Sequence, residues 1–110
     1  MELSTAIALV WIHFFADFVL QVRTIADRKS VGIKILLLHI TLYGAALVYF
    51  GWEFAVVNAI LHGVVDFFSS RLAKKFYREN KFYYFWLTIG ADQALHFTCL
   101  FITYKWMVAQ

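Results

Sequence analysis

Phe54-Ala-Val-Val-Asn-Ala-Ile-Leu-His-Gly-Val-Val-Asp-Phe-Phe-Ser-Ser-Arg-Leu72 is long enough to cross the hydrocarbon core of a bilayer as one helix. It is not uniformly apolar. Asn58, His62, Asp66 and Ser70 recur every fourth residue, so they share one helical face while Val, Ile, Leu and Phe take the rest. A helix of this kind needs a polar interior on one side and lipid on the other.

Three further windows read the same way: residues 4–22, 33–52 and 82–107. Composition agrees, with 63% hydrophobic, 20% aromatic and only 15% charged residues and a mean hydropathy of +0.69. A soluble domain of this size has too little interior to hide so much apolar area. A disordered chain, a disulfide-rich secreted domain and an ordinary cytosolic enzyme are thereby excluded. The expected fold is all-α: one domain over residues 1–110, a polytopic bundle of four transmembrane helices with a polar His/Asp interior. The first window begins Met-Glu-Leu without a basic flank and is expected to stay as a span rather than act as a cleaved signal. No proline is present to kink any span.

Charge placement predicts direction. Arg23, Arg28, Lys29 and Lys34 lie in or beside the first connection, and Arg71, Lys74, Lys75, Arg78 and Lys81 in the third, taken as residues 71–81. The middle connection, around Gly51 and Glu53, has no basic residue. By the positive-inside rule the two basic loops are cytoplasmic and both termini are not. Trp52 and Trp106 then fall near the outer boundary, and Tyr83, Tyr84 and Trp86 near the inner one. The net charge of +3 thus has a topogenic origin, and nothing in the chain resembles a nucleic-acid-binding motif. A lone cysteine, Cys99, allows neither a disulfide framework nor a Cys-x-x-Cys metal site.

The spans carry the groups a membrane helix normally avoids. All four histidines (His13, His39, His62, His96) and three acids (Asp17, Asp66, Asp92) lie within them, with no Lys or Arg at that depth. His13 and Asp17, His62 and Asp66, and Asp92 and His96 are each four residues apart, while His39 stands one turn from Tyr43. At 1.5 Å per residue, Asp17, His39 and Asp66 are about 8–9 Å, and Asp92 about 15 Å, from the inner ends of their spans. The groups share one layer. The resemblance of His13-Phe-Phe-Ala-Asp17-Phe18 to His62-Gly-Val-Val-Asp66-Phe67 adds the expectation of two hairpins related by a pseudo-twofold, with the pairs placed symmetrically.

Three chemistries compete for such a layer. Mixed imidazole and carboxylate ligands suit a divalent metal (Zn, Fe or Mn), whose charge offsets buried acids where no Lys or Arg does. The ligand candidates are His13, Asp17, His39, His62, Asp66, Asp92 and His96. Asp17, Asp66 and Asp92 are also the candidate catalytic carboxylates, and Gln21, Tyr43, Asn58 and Gln93 the candidate supports around them. A proton or ion path is the second chemistry, weakened by an outer half that offers only Asn58, Thr103 and Thr5. Interhelical packing by His–Asp pairs is the third. No metalloprotease, desaturase, hydrolase-elbow, P-loop, dinucleotide or Glu-x-x-His di-iron motif occurs. Ser69 or Ser70 could serve as a serine nucleophile, but a serine pair at a helix end reads first as plain capping or packing.

The ordered strings His13-Phe-Phe-Ala-Asp17-Phe18-Val-Leu-Gln21, Leu-Leu-Leu-His39 with Tyr43, Leu61-His62-x-x-x-Asp66-Phe67 and Asp92-Gln93-Ala-Leu-His96 resemble the DUF3307 family. That family is a group of small bacterial and phage integral membrane proteins of unknown function. The resemblance spans nearly the whole chain. It implies that His13, Asp17, Gln21, His39, His62, Asp66, Asp92, Gln93 and His96 are the family's motif positions, and implies no activity. The expected function is a membrane-embedded, metal-dependent hydrolase of a lipid-linked or amphipathic substrate. The alternative is a non-catalytic, phage-type membrane protein that binds a protein of the host envelope. Expected partners are membrane lipids, such a substrate or a membrane-protein partner, with a homo-oligomer allowed.

Overall fold

A computed structural model describes residues 2–19 and 32–108, all in helices and the turns between them. Gln21 and the basic residues Arg23, Arg28 and Lys29 lie outside the described residues. Helix α1 spans Leu3–Phe14 and passes directly into a π-helical turn at Phe15–Val19. Helix α2, Ile33–Leu47, ends in a 3-10 turn at Val48–Phe50. Helices α3 and α4 cover Trp52–Arg78 and Phe82–Met107. Neighbours pack in a ring: α2 on α3, α3 on α4, and α1 across both α2 and α4.

The middle turn forms at Gly51, whose φ of 119° lies where an L side chain is strained. Glu53, expected in that turn, is already inside the first turn of α3, where its charge suits the helix N-terminus. The third connection differs more from expectation. Helix α3 runs on through Arg71, Lys74 and Lys75 to Arg78, leaving only Glu79–Lys81 as turn. The reason is local. Leu72, Ala73, Lys74 and Lys75 are good helix formers, and the Arg71 guanidinium lies 3.7 Å over the Phe67 ring while bonding the Phe67 carbonyl at 2.8 Å. The stop is a Schellman motif: Asn80 takes φ 57°, Lys81 N–H bonds the Phe76 carbonyl, and Asn80 N–H bonds that of Tyr77.

The molecule is apolar outside and polar inside. Leu3, Ile7 and Trp11 on α1, Leu37 and Leu38 on α2, Ile60, Val64 and Phe68 on α3, and Leu87, Leu95 and Ile102 on α4 are exposed. The buried set includes His13, Asp17, His39, His62, Asp66, Asp92 and His96, with an apolar plug of Leu9, Tyr43, Leu47, Phe54 and Leu100 beside them. Helices Ile33–Phe50 and Phe82–Met107 are long and apolar enough to cross a membrane.

Two glycines let α2 and α3 approach closely. A Cβ on Gly44 would stand 3.1 Å from Ala59 Cβ, and one on Gly63 would stand 3.0 Å from Ile40 Cγ2. This contact sets the distance between His39 and His62. Gly44→Val is therefore expected to cost about 1–3 kcal/mol by overpacking. It should also loosen the polar layer, checked by thermal unfolding alongside metal retention.

Candidate metal centre

Each helix delivers its polar residues to one level of the bundle. The π-helical turn holds Asp17, α2 His39, α3 His62 and Asp66, and α4 Asp92 and His96. A π turn accommodates one residue more than the α ladder and is common at functional sites. Nothing in residues 13–19 announces it, because its period departs from the 3.6-residue repeat by a single residue.

Four atoms converge. His39 Nε2 lies 2.9 Å from His62 Nε2, 3.2 Å from Asp17 Oδ1 and 3.0 Å from Asp66 Oδ2. His62 Nε2 lies 3.4 Å from Asp17 Oδ1 and 3.3 Å from Asp66 Oδ2. All four atoms lie within 4.8 Å of one another, and the five separations given run from 2.9 to 3.4 Å. An ion with bonds of about 2.0–2.1 Å holds tetrahedral ligands about 3.3–3.4 Å apart. Hydrogen bonding uses only part of the arrangement, since a ring nitrogen carries at most one proton and His39 Nε2 faces two carboxylate oxygens and a second ring nitrogen. Among the described residues Asp17 Oδ1 is buried and is approached only by these two ring nitrogens, with no well-formed hydrogen bond to either. The donor set and its spacing fit a divalent cation.

His96 Nε2 continues the cluster, 3.2 Å from Asp66 Oδ1 and 3.1 Å from Asp92 Oδ1. Ligand atoms of Asp17, Asp92 and His96 lie within 4.8 Å of one another, forming a second group that shares Asp17 with the first.

The surrounding side chains fix protons and orientations. Tyr43 O–H donates to His13 Nδ1 at 2.8 Å, and His13 Nε2–H donates to Gln93 Oε1 at 2.8 Å. The Gln93 amide then gives its two hydrogens to Asp17 Oδ2 at 3.2 Å and Asp92 Oδ2 at 3.0 Å. Only this tautomer and this amide orientation satisfy every partner. The His62 ring is stacked between Tyr43 and His96, with centroids 3.9 and 4.0 Å away. Ser69 Oγ–H donates to Asp92 Oδ1 at 2.5 Å.

Six of the seven predicted ligands thus face one another: Asp17, His39, His62, Asp66, Asp92 and His96. His13 does not join them as a ligand, because Tyr43 and Gln93 take both its ring nitrogens. Tyr43 and Gln93 stand beside the cluster. Asn58 does not. Its amide donates to Thr103 Oγ1 at 2.8 Å and to the Phe54 carbonyl at 3.0 Å, tying α3 to α4 away from the histidines. Ser69 is the residue the sequence conceals, since Ser70, not Ser69, continues the four-residue stripe. Ser70 instead bonds the Asp66 carbonyl at 2.6 Å. The seven-residue step from His62 to Ser69 is the signal that would have found it.

On the outer face, α3 and α4 leave a groove of about 510 Å³ between them. Its walls are apolar, among them Val64, Phe68, Leu72, Leu87 and Leu95, and Ser69 and Asp92 also line it.

No curated protein and no solved structure matches the chain. A sequence model does: that of DUF3307, described as a protein of unknown function, matches residues 5–110. The positions that model covers include every residue of the His/Asp cluster, and the chain belongs to the DUF3307 family.

Proposed function

We propose that this chain is a four-span protein of the bacterial inner membrane that holds a divalent metal (Zn, Fe or Mn) and hydrolyses a lipid-linked or amphipathic substrate. The observation carrying this reading is the convergence of His39, His62, Asp17 and Asp66, with one ligand atom of each within 4.8 Å of the others. The inverted surface supports the membrane setting. Soluble monomers rarely expose apolar patches beyond a few hundred Å², whereas here apolar side chains cover the outer faces of all four helices.

A divalent cation supplies a Lewis acid and an activated water when bound. The chain's own residues supply the rest. His39, His62, Asp17 and Asp66 would hold the ion, and the Tyr43–His13–Gln93 chain keeps Asp17 and Asp92 in place. Asp92 is the acid that both belongs to the cluster and lines the groove, so it is the carboxylate to take a proton from the attacking water. An acyl or isoprenoid chain fits the groove walls, which brings an adjoining ester or phosphoester to Asp92. Conduction is the weaker reading, because Leu9, Leu47, Phe54 and Leu100 close the bundle beyond the polar layer.

The test has three parts. Protein purified without added metal is expected to carry zinc, iron or manganese by elemental analysis. Reporters at the C-terminus and in the Glu79–Lys81 turn should read as non-cytoplasmic and cytoplasmic, respectively. The protein should also hydrolyse lipids in vesicles of phosphatidylethanolamine and phosphatidylglycerol. Metal-free protein would favour a packing layer in a non-catalytic interaction protein, and reversed reporters would refute the assigned direction.

A further inference from the structure

We infer that the cluster is built for two divalent cations bridged by Asp17 and Asp66, rather than for one. This rests on the metal reading above. The evidence is that these carboxylates use both oxygens in different directions. Asp66 Oδ2 faces His39 and His62 at 3.0 and 3.3 Å, while its Oδ1 faces His96 at 3.2 Å. Asp17 Oδ1 faces the same two histidines, at 3.2 and 3.4 Å, while its Oδ2 is turned to the Gln93 amide, which also holds Asp92.

The second position has its own terminal ligands. His96 Nε2 stands 3.1 Å from Asp92 Oδ1 and 3.2 Å from Asp66 Oδ1, so one ring proton faces two carboxylate oxygens. The two groups are thus His39 and His62 on one side and His96 and Asp92 on the other, with Asp17 belonging to both and Asp66 reaching from the first to His96 through Oδ1. Carboxylates that bridge in this way serve ions about 3.5–4 Å apart. Asp92 would serve as a ligand through Oδ1, leaving Oδ2, which accepts from the Gln93 amide, for proton transfer.

Charge points the same way. One divalent cation leaves the three carboxylates with a net negative charge, in a layer where the described residues place no Lys or Arg. Two leave a net positive charge, which suits an anionic substrate group such as a phosphoester. The second position is also the one beside the groove, since Asp92 lines it.

The test uses purified, detergent-solubilised protein stripped of metal and titrated with Mn²⁺. Elemental analysis after desalting should give two ions per chain, and electron paramagnetic resonance should show an exchange-coupled pair. His96→Gln should reduce the content to one ion per chain and convert the spectrum to an isolated six-line signal, with helicity by circular dichroism unchanged. If His96→Gln fails to fold, the wild-type titration and spectrum alone decide. One ion per chain with an uncoupled spectrum overturns the paired centre and leaves the metal reading standing. No retained ion overturns both.

Discussion

Asp66→Ala is expected to strip the bundle of metal and to reduce hydrolysis to background, while the protein still inserts. Asp66 contributes an oxygen to each group of ligands, so no binding position survives its loss intact. Insertion depends on the hydrophobicity of the spans, which this change does not lower. Asp66→Leu sharpens the result. If the layer were only packing, removing a costly buried acid would leave stability unchanged or raise it by about 1–4 kcal/mol, as when apolar residues replace buried ion pairs. With a metal present, Asp66→Leu should instead melt well below the wild type and resemble its metal-free form. Elemental analysis and thermal unfolding of both variants in detergent check this. A metal-free wild type with a stabilised Asp66→Leu would end the metal reading.

Chelation of the wild type should have the next largest effect. A ligand present at a thousand times its dissociation constant stabilises the folded state by about 4 kcal/mol. For a domain of this size that corresponds to roughly 15–30 °C in melting temperature. Without cations, Asp17, Asp66 and Asp92 are left close together and buried, with no Lys or Arg among them in the described residues. The loss should be reversed by added Zn²⁺ or Mn²⁺ and be absent in Asp66→Leu. Unfolding curves with and without chelator give the measurement, and superimposed curves for the wild type would contradict a resident ion.

Most of the helical layout was legible because apolar runs of span length have few other uses. The polar stripes were legible because four-residue spacing survives any helix packing. What the sequence concealed depends on geometry it does not encode one residue at a time. The His13–Asp17 and His62–Asp66 pairs have the same spacing, yet the expected symmetry fails: α3 is regular through its pair, and a π turn intervenes at Asp17. Their imidazoles accordingly part ways, His62 entering the cluster and His13 bonding Tyr43 and Gln93. The extension of α3 was hidden by charge, since Arg71, Lys74 and Lys75 read as loop under a hydropathy criterion but as helix under a propensity criterion. Asn58 sits on the right face at the wrong height, where Thr103 meets it before any histidine does.

Burial of the cluster also governs time. His39 is 0%, His62 2% and Asp66 1% exposed, so an ion among them is walled in by helices on every side that the described residues form. Such an ion leaves only when the helices part, and its residence time reports the frequency of that opening rather than the strength of its bonds. Asp92, at 7%, borders the groove, so an ion beside it can exchange without any helix moving apart. Isotope exchange should therefore be biphasic: a fast phase set by ligand dissociation at the groove, and a slow one that clocks the breathing of the bundle.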